Sequence, residues 1–106
     1  MSFRYMRMLL FFDLPTETAK DRKIYSKFRK FLISEGFIMM QKSVYTKLAL
    51  NSSVVNSEKE KINKNKPPHG IVQLLTVTEK QFNEIECIVG AVTSNVLNDT
   101  ERLTVL

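Results

Sequence analysis

The chain has 106 residues, 43% apolar and 25% charged, with three Gly, three Pro, one Cys and one His. This is the make-up of one globular domain, residues 1–106. It excludes a disordered tail, a low-complexity array, an internal disulfide and a His-rich metal site within one copy. The net charge of +5 is uneven: residues 1–50 carry +6 and residues 51–106 carry −1, so a polyanion would meet the first half.

Residues 5–12, Tyr-Met-Arg-Met-Leu-Leu-Phe-Phe, read as a central strand buried on much of both faces. Asp13-Leu14-Pro15 breaks it. Thr16 or Thr18 can cap a helix that runs to about Glu35. Ile24, Phe28, Phe31 and Leu32 lie on one face of that helix, and Gly36 stands where a helix stop wants a left-handed residue.

Phe37–Gln41 and Val44–Leu50 are β-rich and joined tightly at Lys42-Ser43, as two short strands or one broken strand. Asn51-Ser52-Ser53 can start a second helix that ends near Asn65, anchored by Val54, Val55 and Ile62. Lys66-Pro67-Pro68-His69-Gly70 is a loop, and Ile71–Val77 an apolar strand. Thr78–Asn83 is a turn or one helical turn, and Ile85–Val89 reads as a further strand. Arg102–Leu106 alternates apolar and polar residues, as a strand that pairs with a neighbour would. The order β-α-β-β-α-β implies an α+β, ferredoxin-like fold, with an antiparallel sheet and two helices on one face. No apolar run spans a bilayer. Cys87 alone suits a reducing compartment, so no membrane contact and a cytoplasmic setting are expected.

Asp13 closes an apolar strand just before a helix start. A carboxylate there either serves the turn or holds Mg²⁺ through one oxygen while the metal keeps its waters. One carboxylate is a poor metal site. A two-fold dimer is the simplest way to supply two.

Lys20, Lys23, Lys27 and Lys30 form a stripe within about 80° of helix surface and about 15 Å long. It is either a solvated face or a row of phosphate contacts without a base code. Arg22 and Arg29 sit on the far side. Arg4 and Arg7 lie on or beside the first strand, where Arg7 shares a side with Asp13. For Arg7 an internal salt bridge is the favoured reading, and a phosphate contact or a supporting role behind Asp13 is the alternative. Lys42 adds a charge at the tight connection. No Gly-rich phosphate loop, CxxC, HExxH or GxSxG motif is present.

Arg4-Tyr5-Met6-Arg7-Met8, Phe12-Asp13-Leu14-Pro15-Thr16, Lys27-Phe28-Arg29-Lys30-Phe31-Leu32, Ser34-Glu35-Gly36-Phe37-Ile38, Gln41-Lys42-Ser43-Val44-Tyr45 and Leu74–Phe82 occur in this order. Taken together they resemble the CRISPR-associated protein 2 family, the small partner of the spacer integrase, and its type II-A members in particular. The resemblance covers nearly the whole chain. It implies a ferredoxin-like homodimer with a C-terminal strand pairing across the dimer, which suits Arg102–Leu106. It implies a role in spacer acquisition and antiviral defence. The dimer would bridge dimers of the integrase, CRISPR-associated protein 1, and support the foreign double-stranded DNA. It also implies a Mg²⁺-dependent endonuclease activity carried by Asp13. The family's small hydroxyl residue maps to Ser43 and its early-helix arginine loosely to Arg22. The tyrosine that often precedes the aspartate is Phe12 here.

Two classes of function follow. In a DNA-bridging scaffold, the basic residues Arg4, Arg7, Lys20, Arg22, Lys23, Lys27, Lys30 and Lys42 carry the role. In a hydrolase, paired Asp13 residues hold Mg²⁺ against a phosphodiester of RNA or DNA. With one carboxylate per chain and no evident base, the scaffold is favoured. A small-molecule sensor would leave the +6 half of the chain unexplained.

Overall fold

The strand β1 (Met6–Asp13) is central in a four-stranded sheet, between β3 (Val44–Ala49), which has β2 (Ile38–Gln41) on its far side, and β4 (Ile71–Thr78). The computed structural model describes residues 5–90. Every neighbouring pair of strands is antiparallel. The helices are α1 (Ala19–Ser34), α2 (Ser52–Lys64) and the single turn α3 (Glu79–Phe82). This is the expected α+β, ferredoxin-like arrangement, with α3 appended. Arg4 and the strand expected at Arg102–Leu106 lie outside the described residues.

The period of two in β1 decides where the core forms. Met8, Leu10 and Phe12 point to one face, where Phe28 and Leu32 of α1 and Val55 and Ile62 of α2 join them in one buried cluster. Both helices therefore cover the same face. Phe12 is the hub: its ring lies 5.7 Å from Tyr25, 5.6 Å from Phe28 and 5.6 Å from Tyr45.

The opposite face departs from the sequence reading of β1 as buried on both sides. Leu9 is buried there, but Phe11 and Asp13 are exposed. The register sets Leu9 beside Thr46 and Leu75, Phe11 beside Val44 and Gln73, and Asp13 beside Ile71. Ile38, Leu48, Ile71 and Leu75 are also exposed, so this face is an open apolar surface.

The helix ends follow local chemistry. Thr18 caps α1, its hydroxyl accepting from Asp21 N at 3.0 Å while its own N–H donates to Asp21 at 3.3 Å. This reciprocal box satisfies two otherwise orphaned donors. At the other end Gly36 takes φ +96°. Gly36 N donates to Ile33 O, and Phe37 N to Leu32 O, both at 3.0 Å. That pair of hydrogen bonds is a Schellman stop, and Phe37 and Leu32 bury against the core beside it. Asn51 caps α2 by accepting from Val54 N at 3.0 Å.

Ile85–Val89 is not a strand. Ile85 N still bonds to Phe82 O as α3 unwinds, and Ile88 and Val89 are 83% and 92% exposed. β-rich composition makes a strand only where a partner edge runs alongside, and none of the described strands does so here.

Candidate nucleic-acid interface and the end of the first strand

Asp13 ends β1 at a corner built by three segments. On one side the Lys42-Ser43 turn closes against β1, with Phe12 N donating to Ser43 O at 3.1 Å. Ser43 holds φ +71°, a left-handed conformation unusual for a residue with a side chain. On the other side the loop before β4 touches Asp13 at Gly70. A Cβ on Gly70 would lie 2.9 Å from Asp13 O and 2.6 Å from Leu14 Cδ2, and its φ is +97°. Only glycine fits that approach. The signal in the sequence is faint: a lone Gly after Pro67-Pro68-His69, just before an apolar run.

The Asp13 side chain is exposed and forms no hydrogen bond or ion pair among the described residues. Capping of α1 falls to Thr18 and Asp21 instead, which removes the turn-capping role open to Asp13 in the sequence. Among the described residues no group of three or more His, Cys, Asp or Glu is placed to hold a metal ion. One copy thus offers one carboxylate at this corner, which does not by itself fit Mg²⁺.

The basic residues fall into two groups. Lys20, Lys23, Lys27 and Lys30 are exposed along one flank of α1, and none takes part in the ion pairs of the described residues. Lys42 is exposed at the β2–β3 turn, at the same sheet end as Asp13.

The arginines are engaged. Arg22 Nη1 donates to Thr16 O and Glu17 O, both at 3.1 Å, and so ties down the loop between Asp13 and α1. Arg7 donates to both Glu79 oxygens, Nε at 3.0 Å and Nη2 at 2.6 Å, and its guanidinium carbon lies 4.5 Å from the centre of the Phe82 ring. The internal salt bridge open to Arg7 in the sequence is therefore formed. Arg29 Nε donates to the Tyr45 hydroxyl at 3.0 Å. Nothing in the sequence spacing links either arginine to its partner.

A second polar cluster joins α1, β3 and α2. Lys47 Nζ donates to Glu58 at 2.8 Å and to Glu35 O at 2.5 Å, and Lys61 reaches Glu35 at 3.4 Å. Glu58 is buried, and its Oε1 has no partner among the described residues. The Glu35 carboxyl is held below its ordinary value. Burial opposes this, but the hydrogen bond and charge of Lys61 and the charge of Lys47 outweigh it. No helix among the described residues is long and apolar enough to cross a membrane.

The model of the family described as CRISPR associated protein Cas2 matches residues 6–85. A Treponema denticola protein named CRISPR-associated endoribonuclease Cas2 is 54% identical over 95% of this chain and all of its own length. A Streptococcus mutans protein of the same name is 50% identical over 95% of this chain and 93% of its own. One from Ligilactobacillus salivarius is 44% identical over 95% of this chain and all of its own.

Proposed function

The chain belongs to the CRISPR associated protein Cas2 family, and from that premise we propose that it is a homodimeric bridge in spacer acquisition. It supports foreign double-stranded DNA by its phosphates and joins dimers of the integrase, CRISPR-associated protein 1, in the cytoplasm. The observation that carries this reading is the exposed row Lys20, Lys23, Lys27 and Lys30 on α1, with no internal carboxylate engaged by it among the described residues. Such a row suits a periodic polyanion of any sequence.

The homodimer finds support in the open sheet face. Phe11, Ile38, Leu48, Ile71 and Leu75 are all exposed on or beside it, and a contiguous apolar surface of this kind marks a contact site. Asp13 shares that face, so a two-fold pairing would set two such carboxylates on one interface. Binding of a random-sequence duplex across a salt series tests the DNA role. Replacing the four lysines by Ala should weaken binding and flatten its salt dependence. Unchanged affinity and slope would place the phosphates elsewhere and overturn the lysine row as the contact.

A second reading is a metal-dependent endonuclease. It is favoured by the exposed Asp13, unpaired among the described residues, and by the relatives' name, endoribonuclease. Since one copy alone does not fit Mg²⁺, this reading needs Asp13 from both copies. It requires divalent-dependent cleavage of RNA or DNA that disappears in Asp13→Asn. Cleavage that persists in Asp13→Asn would remove Asp13 from the chemistry.

A further inference from the structure

Arg29 differs from every other described arginine in how its guanidinium is used. Arg7 gives Nε and Nη2 to the two oxygens of one carboxylate, so its charge is matched within the chain. Arg22 gives Nη1 to two backbone carbonyls. Arg29 gives only Nε, and gives it to a neutral acceptor, the Tyr45 hydroxyl, at 3.0 Å. Neither Nη1 nor Nη2 of Arg29 has an acceptor among the described residues, and no carboxylate pairs with it.

The acceptor is itself anchored in the core. Tyr45 is 1% exposed, stands on β3 within the core, and packs its ring 5.6 Å from Phe12. Its hydroxyl is thus a fixed post at the edge of the core, and Arg29 leans on it from the exposed surface of α1. A free arginine side chain loses rotamer freedom when it binds, and one held in place has already lost much of it. The free Nη pair matches the two non-bridging oxygens of a phosphodiester in a planar fork, which lysine cannot reproduce.

The surroundings favour a polyanion over a partner's carboxylate. Residues 22–34 of α1 contain five basic residues and no acidic one. The lysine row lies on the other flank of the buried face, roughly 130° around the helix from Arg22 and Arg29. We propose that Arg29 is a phosphate-binding residue for duplex DNA, with Tyr45 as its positioning residue. It gives the helix a second, pre-oriented contact flank in addition to its exposed lysine row. The inference rests on the DNA-bridging reading above and adds where and how one phosphate is held.

The test measures binding of a random-sequence duplex to the full chain by fluorescence anisotropy over a NaCl series. Arg29→Ala should weaken binding about tenfold and lower the salt slope by about 0.9, the loss of one phosphate contact. Arg29→Lys should keep the slope but lose several-fold in affinity. Tyr45→Phe, which keeps every charge, should lose about threefold with the slope unchanged. Combined with Arg29→Ala, it should add nothing. Thermal melts confirm that each variant is folded.

Wild-type affinity and slope in Arg29→Ala, while the four-lysine variant loses both, would overturn the role of Arg29 and leave the DNA reading standing. Full binding in Tyr45→Phe would overturn the positioning role. Loss of dimer or integrase association in Arg29→Ala with DNA binding intact would make it a protein contact instead. A wild-type chain that binds no duplex would overturn both readings together.

Discussion

Arg7 and Glu79, 72 residues apart, meet in a two-point ion pair at 3.0 and 2.6 Å, under the ring of Phe82. The pair fastens the start of β1 to α3, which follows β4. Both side chains are mostly shielded, 17% and 32% exposed, so the pair is screened less than a surface salt bridge. Arg7→Gln should cost about 2 kcal/mol, because Glu79 keeps its charge without its partner. In a domain of this size that is a fall in melting temperature on the order of 10 °C. DNA binding at a temperature where the variant is folded should be unchanged. A stable variant with weak DNA binding would instead make Arg7 a phosphate contact.

Lys47 and Glu58 should behave as a coupled unit. Lys47→Met leaves the buried Glu58 carboxylate without its cation and should cost about 3–5 kcal/mol. Pairing it with Glu58→Met should restore much of that loss, since neither buried charge remains. Urea unfolding of the two singles and the double measures the coupling. Additive losses would show that the two side chains do not depend on each other.

Glu35 gives the fold an acid-sensitive component. Its carboxyl sits below the ordinary 4.5 in the folded chain, where Lys61, Lys47 and Glu58 face it. The folded state therefore holds this proton less tightly than the unfolded one. The resulting stability is present above about 4.5 and is lost as pH falls through the lower folded value. Urea midpoints of wild type and Glu35→Gln should converge below that range and separate above it. A constant gap across pH would contradict this.

Thr18 and Asp13 differ in what they hold on the approach to α1. Thr18→Ala removes the capping box and should cost about 1 kcal/mol. Asp13→Ala removes a side chain with no described partner and should stay within about 0.5 kcal/mol of wild type. Thermal melts of both variants decide this. A large loss in Asp13→Ala would mean that the residue is structural.

Much of this was legible in the sequence because it is local. The period-two apolar residues of β1, the i, i+4 row of α1, Gly36 as a helix stop and Thr18 as one of two caps all rest on neighbours within a few residues. Asp13 and the lysine row were legible for the same reason. The partners of Arg7, Arg29 and Lys47 were not, because each lies across the fold. Gly70 meeting Asp13 depends on how one loop packs against another. Ile85–Val89 misleads because its composition favours a strand while the fold supplies no edge for it.

A bridge that holds DNA by its phosphates has no need of the Asp13 carboxylate. Spacer acquisition in cells carrying Asp13→Ala, with protein level and dimer state checked, tests this most directly. Acquisition should persist in Asp13→Ala and fail when Lys20, Lys23, Lys27 and Lys30 are replaced together. Loss of acquisition in Asp13→Ala with the dimer intact would contradict the bridge and put the hydrolase reading first.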